Sequence, residues 1–423
     1  MLVPHSMSGT KVGILGLGLS GMAAAHALAA AGARLWLHDD NAAPRGEVPQ
    51  GAQLCGWQDW PWDELTSMVI SEIEIAMRAA PQARIVAITG TNGKSTTTAL
   101  TGHCLRSAGR AVAVGGNIGD AACNLDDPGA DGVIVLELSS YQLETTPSLR
   151  ADIAMLLNIT PDHLARHGGM EGYVAAKARI LDAAGAEGLV VIGTGPHLDP
   201  LADARRKAGG KVSIINPSDA PATIAGVASL AGPHNAENAA AAAACLAALG
   251  LTEDEIAEGM AGFAGLPHRL QTVASHGGIS FVNDSKATNG VAAAKALAAF
   301  DNVYWIAGGE AKEDGLGEAA GETAKVAHAY LIGSAAQAFA AELDGIVETS
   351  LSGDLETATT SAFADASAAT GTDGRDATIL LSPAAASFDQ FASFVARGDA
   401  FTAIARRLAA DAGAAAVQGG AHA

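Results

Sequence analysis

Residues 87–99 read AITGTNGKSTTTA, an apolar strand end running into glycines and then into a Thr- and Ala-rich stretch that predicts a helix. Backbone N–H groups at such a helix start, together with the Lys94 ammonium, can hold phosphate oxygens, and the Ser95 hydroxyl is placed to ligate a divalent ion. A standard phosphate loop follows the pattern G-x-x-x-x-G-K-[ST]. Its first glycine falls here on Ile88, and the first glycine present, Gly90, comes two residues late. Two readings follow. The stretch is a shortened phosphate loop, with Gly90, Thr91, Asn92, Gly93, Lys94, Ser95 and Thr96 around a nucleotide, or it is an ordinary glycine-rich turn. Lys-Ser directly at the helix start favours the first.

Upstream, KVGILGLGLSGMAAAHALAAAGARLWLHDD (11–40) predicts strand, glycine turn, helix and second strand. Gly16, Gly18 and Gly21 match G-x-G-x-x-G, and Asp39 and Asp40 follow at the distance a Rossmann site requires. Read alone, this fits NAD(P) binding, or a Rossmann-like fold holding another nucleotide or none. Downstream, AVAVGG, GVIVLELSS and DIAMLLNIT read as strands ending in polar residues, where parallel sheets place their ligands. A long Ala-rich helix is expected from Asn235 to Leu249. A third α/β block opens near Leu266 and carries GISFVND, NVYWIAGGEAK, AYLIG and ATILLSPAAASFDQF. The Ala- and Gly-rich last dozen residues are expected to fray.

Length and composition set bounds. A chain of 423 residues holds two or three domains. With 25 basic against 45 acidic residues the net charge is −20, which argues against a nucleic-acid binder. Anionic ligands must therefore be captured by local basic groups and helix N-termini. Cys55, Cys104, Cys123 and Cys245 form no CxxC or metal-type spacing and read as small buried hydrophobes in a reducing cytoplasm. The apolar run from Ile14 to Ala31 is broken by glycines and His26, so neither a signal peptide nor a membrane span is expected.

Several side chains carry candidate chemistry. Glu137 ends an apolar strand downstream of the loop, where a phosphate-loop protein places the acid that completes a Mg²⁺ shell; the alternative is a carboxylate in a turn. NITPDHLARHGG supplies Asp162, His163 and His167, with His163 read as a hard-ion ligand or as a structural histidine. Lys177, in YVAAKARIL, reads on local grounds as a snorkelling surface lysine. Asn235 and Asn238 face the same way from a helix start and suit an adenine edge or a ribose. Arg269, in LPHRLQ, stands where a guanidinium can close on a phosphate.

The order of these motifs along the chain resembles the Mur ligase family. The resemblance rests on GTNGKST (90–96), GGNIG (115–119), LELSSYQLE (136–144), NITPDHLARHG (158–168), AAKARI (175–180) and HNAENAAAA (234–242). GLPHR, NDSKATN and SPAAASFDQF complete it, and the last two mark the D-glutamate-adding members. GTNGK(S/T) is this family's short phosphate loop. The resemblance implies an α/β protein of three domains: a Rossmann-like domain over 1–80, a central phosphate-loop ATPase domain with a mostly parallel sheet over 81–265, and a Rossmann-like domain over 266–423. The first would hold the uridine diphosphate of a substrate, not NAD.

It further implies a cytoplasmic, monomeric, ATP-dependent ligase that joins D-glutamate to UDP-N-acetylmuramoyl-L-alanine for peptidoglycan, with no nucleic-acid partner and no membrane insertion. Carried onto this chain, Lys94 would act on the phosphoryl group. Residues 90–96, Asn235, Asn238, Arg269 and Lys312 would hold ATP. Leu19, Ser20, Asp39, Asn117 and Gln142 would hold the UDP substrate, and Lys286, Thr288, Ser387, Phe388 and Phe394 the D-glutamate. Ser387 and the Phe388 N–H are expected at the start of a helix. Two Mg²⁺ ions would be held by Ser95, Glu137, His163 and Lys177, the last as a CO₂-derived carbamate. The chain departs from the family pattern after the expected strand end SMVIS. A Pro-Gly turn and a further run of residues belong there, yet Ser71 meets Glu72 directly, so a segment is expected to be missing at this point.

Overall fold

The computed structural model describes residues 1–40, 44, 46–61, 63, 65, 69–79, 81–230, 232–311 and 315–420. They divide into two compact units, Met1–Ala264 and Gly265–Ala423. In the first unit, β1 (Lys11–Leu15) ends at Gly16, whose φ of +85° is open to glycine at little cost. Helix α1 (Leu19–Ala30) packs onto that turn so closely that a Cβ on Gly21 would lie 1.8 Å from the Gly16 carbonyl oxygen. Strands β2 (Arg34–His38) and β3 (Gln53–Leu54) complete a three-stranded parallel sheet in the order β1-β2-β3.

The strand expected at SMVIS is not formed by the residues described there. Val69 is 80% exposed, neither it nor Ile70 is in a strand, and Ser67 and Met68 lie outside the described residues. The Ser71 N–H instead donates to Thr145 O at 3.0 Å, and its hydroxyl accepts from Glu74 N to cap α2 (Glu72–Arg78). Ser71 keeps the extended backbone of an N-cap (φ −85°, ψ 169°), with its N–H turned to Thr145 O and not to a neighbouring strand.

The second sheet has six parallel strands: β4 (Arg84–Thr89), β5 (Val112–Gly116), β6 (Val133–Glu137), β7 (Ile153–Leu156), β8 (Leu189–Ile192) and β9 (Lys211–Ile214). Their spatial order is β5-β6-β4-β7-β8-β9. β6 and β7 are buried along their whole length, as apolar runs in a sheet covered on both faces must be. The order reverses at β4, so the crevice outside its carboxyl end is the topological switch point, the preferred ligand position of such sheets. The connecting helices are α3 (Lys94–Ser107), α4 (Ser140–Glu144), α5 (Leu164–His167), α6 (Met170–Ala183) and α7 (Asp199–Lys207), followed by α8 (Pro233–Ala248) and α9 (Glu253–Ala261). Alanines 239–242 of α8 are buried, and such small side chains let it lie close against α3.

The second unit contains β10 (Gln271–His276), β11 (Ile279–Asn283), α10 (Gly290–Ala298), β12 (Val303–Gly308), β13 (Val326–Ile332), α11 (Ala336–Glu342), β14 (Thr349–Gly353), α12 (Leu355–Asp373), β15 (Ala377–Leu381) and α13 (Phe394–Gly420). The sheet order is β10-β11-β15-β12-β13-β14, with only β10 antiparallel. Two expectations are corrected here. Ser387 does not open a helix: residues 387–391 form a turn in which Phe391 N donates to Ser387 O at 2.8 Å, and α13 starts at Phe394. The Ala-rich tail is helical to Gly420, because alanine's helix propensity carries α13 onward.

Candidate active site

Two lysines and one carboxylate define the switch point of the central sheet. Gly93 caps α3 in the left-handed region (φ +81°) and turns the chain from β4 into the helix. Lys94, the first helical residue, folds its ammonium back onto Gly90 O (3.0 Å) and Thr91 O (2.9 Å). Lys177, from α6, donates to the same Gly90 carbonyl at 2.8 Å and to Thr89 Oγ1 at 3.3 Å. It is 2% exposed and sits 4.9 Å from the Tyr173 ring centroid, so it is not the surface lysine that its local sequence suggests. Burial, and then the neighbouring Lys94 charge, pull its amine down to about 7, against the opposing pull of Asp162 and Glu137. An amine whose pKa is about 7 keeps a substantial neutral, nucleophilic fraction near pH 7.

Glu137 ends β6, whose last residue pairs with Ile88 of β4 one step before the loop. Its Oε1 accepts from Asn117 Nδ2 at 2.8 Å, while its buried Oε2 has no hydrogen-bond partner. A buried carboxylate oxygen without a partner is costly unless a cation or donor arrives, so the site fits a hard ion held by Glu137. Among the described residues, no three of His, Cys, Asp and Glu come together in a metal-binding group. His163, left-handed at φ +51°, keeps its side chain about half exposed, 3.6 Å from Asp162. His167 by contrast is sealed between Glu144 (3.3 Å) and Ser140 (3.0 Å) and anchors α5 to α4.

The amides expected at the nucleotide are tied to each other and to α3. Asn238 Nδ2 donates to Asn235 Oδ1 (3.2 Å), and Thr97 donates to Asn238 Oδ1 (3.3 Å). Gln142 closes a capping box with Ser139 and turns its Nε2 to the buried Glu72 at 3.2 Å, so both ends of this side chain are engaged. In the first sheet, Asp39 Oδ2 accepts from Leu17 N at 2.5 Å and borders a cleft of about 330 Å³ with His38, Pro44 and Cys55. Leu19 and Ser20 stand exposed at the start of α1.

In the second unit, Lys286 lies 4.3 Å from the Phe394 ring centroid, Ser387 is buried and Phe388 is 70% exposed. Thr288 follows Lys286 in a tight turn, its N–H donating to Lys286 O at 2.8 Å. Lys312 lies outside the described residues. Arg269 follows His268, whose left-handed φ of +61° marks a sharp turn. Asp284 is buried, which pushes its carboxyl up to about 7 against the Ser382 hydroxyl that donates to it at 2.9 Å.

Sequence reasoning missed two residues. Arg397 is 1% exposed and donates to Ser285 Oγ and O, Ala385 O and Ala386 O, joining the loops after β11 and β15. Asn158 bonds the phosphate loop. Neither stands out in the sequence, since an arginine in a helix and an asparagine after a strand usually face water.

A glycine turn at the start of α3, a partnerless buried carboxylate and two lysine amines on one carbonyl meet at the switch point of the sheet, and the chain belongs to the Mur ligase family. Residues 88–224 match the Mur ligase middle domain, and residues 268–415 match the Mur ligase glutamate ligase domain. Its relatives include the UDP-N-acetylmuramoylalanine--D-glutamate ligases of Nitrobacter hamburgensis, 40% identical over 96% of this chain and 98% of the relative, and of Caulobacter vibrioides, 41% identical over 99% and 100%. The Caulobacter alignment runs over 474 residues, more than this chain has, so stretches of that relative have no counterpart here. Among solved structures, MurF ligase from Thermotoga maritima in complex with ADP shares the fold at a TM-score of 0.58 and 16% identity, covering 96% of each chain. Mycobacterium tuberculosis folylpolyglutamate synthase complexed with ADP gives 0.57 and 18%, covering 80% of this chain and 95% of that one.

Proposed function

We propose that the protein joins D-glutamate to UDP-N-acetylmuramoyl-L-alanine at the cost of ATP, as the names of its relatives imply. The observation that carries this reading is the partnerless buried Oε2 of Glu137, one strand from a phosphate loop on which two lysine amines meet. A carboxylate is a poor electrophile, and hydroxide leaves badly. The γ-phosphoryl group therefore passes first to the L-alanine carboxylate, giving an acyl phosphate and ADP. The amine of D-glutamate adds to the acyl carbon, and the tetrahedral adduct loses phosphate and a proton to leave the amide.

Lys94 leaves its carbonyl contacts for the transferring phosphoryl oxygens, and the loop N–H groups follow the charge as it develops. Ser95 and Glu137 would hold one Mg²⁺, and His163 with Lys177 a second; the ions supply charge neutralisation along the phosphates. An ammonium cannot ligate a cation. The neutral fraction of the Lys177 amine adds to the carbon of CO₂ and sheds a proton, which yields an anionic carbamate with two oxygens for the ion. Asn235, Asn238, Arg269 and Lys312 are assigned to ATP, and Leu19, Ser20, Asp39, Asn117 and Gln142 to the UDP substrate. Lys286, Thr288, Ser387, Phe388 and Phe394 are assigned to D-glutamate.

Domain roles follow: 1–80 for the UDP moiety, 81–265 for ATP and 266–423 for the amino acid. The test is ADP release measured with each substrate omitted in turn. Release must require both UDP-N-acetylmuramoyl-L-alanine and D-glutamate, and release that proceeds without either one refutes the assignment.

A further inference from the structure

The turn after β7 is stitched to the phosphate loop. Thr91 N donates to Asn158 O at 2.9 Å, Asn92 N to Asn158 Oδ1 at 2.8 Å, and Asn158 Nδ2 returns a bond to Asn92 O at 3.2 Å. Two residues on, Thr160 N donates to Thr91 Oγ1 at 3.0 Å, and that hydroxyl donates to Thr160 O at 3.1 Å. Gly90 permits the approach, since a Cβ there would lie 3.3 Å from Asn158 N and 3.1 Å from Leu157 Cβ. The stitched turn leads within four residues to Asp162 and His163. One side-chain amide thus fixes both the backbone donor and the backbone acceptor of Asn92 in the loop.

We propose that Asn158 is a positioning residue that holds the phosphate loop in its binding shape and carries the arrival of a nucleotide to the segment bearing Asp162 and His163. The proposal rests on the nucleotide reading given above. With Asn92 held by Asn158, the N–H groups at the start of α3 are left to take the phosphate oxygens, and a shift of the loop on binding is passed through the same bonds to the 158–160 turn, so loop occupancy and the position of His163 become linked.

The test titrates ADP into wild type, Asn158→Ala and Asn158→Asp, and follows amide exchange of 90–93 and 158–164 in wild type. Losing two side-chain hydrogen bonds should weaken ADP binding by about tenfold to thirtyfold in Asn158→Ala, with the KM for D-glutamate unchanged. Asn158→Asp keeps the acceptor for Asn92 but sets a negative charge beside the phosphates, and should bind ADP more weakly than Asn158→Ala. In wild type, ADP should change exchange in both segments together. Equal affinity of Asn158→Ala and wild type, Asn158→Asp binding no more weakly than Asn158→Ala, or exchange that changes at 90–93 alone each overturns the proposal. The exchange arm decides the matter even where a variant fails to fold. Failure of wild type to bind ADP at all overturns the nucleotide reading itself.

Discussion

Replacing Gly93 by alanine puts the geometry of the phosphate loop to a quantitative test. Gly93 sits at φ +81° and ψ −14°, a left-handed conformation that costs an L-residue about 1–2 kcal/mol. The new Cβ would also lie 2.1 Å from Asn238 Oδ1. That oxygen cannot simply rotate away, because it accepts from Thr97 while the same amide donates to Asn235, and Asn238 is only 4% exposed. Moving it breaks one or both bonds at about 1 kcal/mol each, for a total of about 2–4 kcal/mol. Urea unfolding of wild type, Gly93→Ala, Asn238→Ala and the double variant separates the two parts. Truncating Asn238 removes the clash but not the backbone strain, so the double variant should be less destabilised than the sum of the singles by about 1 kcal/mol. ADP affinity should fall at least about tenfold in Gly93→Ala, since the displaced loop presents its N–H groups in the wrong place. Strict additivity, or a Gly93→Ala change below about 0.5 kcal/mol with normal ADP binding, would refute the reasoning.

Four further outcomes follow. Glu137→Gln should lower Mg²⁺-dependent turnover by about 10²-fold or more while leaving the thermal midpoint nearly unchanged, because it removes the charge and keeps the Asn117 contact; full turnover would show that the partnerless oxygen holds no ion. For Lys177, the folded amine titrates at about 7 and the unfolded one near 10.5. Between these values the unfolded chain holds a proton that the folded chain lacks, so unfolding free energy should rise with pH across that window, and Lys177→Met should lose the rise. The same amine predicts that CO₂ depletion lowers wild-type turnover and bicarbonate restores it, measured as ADP release. Lys286→Ala should raise the KM for D-glutamate about tenfold to a hundredfold and leave that for the UDP substrate unchanged, read from initial rates; equal rises in both would remove Lys286 from the amino-acid site.

The strand-loop-helix at 84–107 was legible because its signals are local: an apolar run, glycines where the backbone must turn, and Lys-Ser at the helix start. The glycines at 16, 18 and 21 read equally well, since the close approach of Gly21 to the Gly16 carbonyl is a demand that sequence records directly. Lys177 was misplaced by local reasoning. Its helix carries alanines on several sides, and only the fold shows that its amine is buried against Gly90 and Tyr173; the family resemblance, not the pattern, gave it a role. The turn at Ser387 looked like a helix start because small residues precede an aromatic run, whereas the hydrogen bond from Phe391 N to Ser387 O closes a turn first. Asn158 and Arg397 act through backbone carbonyls and amides far away in sequence, and such partners leave no trace in composition or spacing.

The Arg397 guanidinium bears on any attempt to redesign the loops after β11 and β15. Because one buried side chain bonds to Ser285 and to the carbonyls of Ala385 and Ala386, the loops after β11 and β15 share a support, which the Ser382–Asp284 bond reinforces. Substitutions in one loop that shift its backbone will be transmitted to the other. Libraries that randomise NDSKATN or SPAAASFDQF alone should therefore be dominated by inactive members, and productive changes should emerge as pairs drawn from both loops with Arg397 retained.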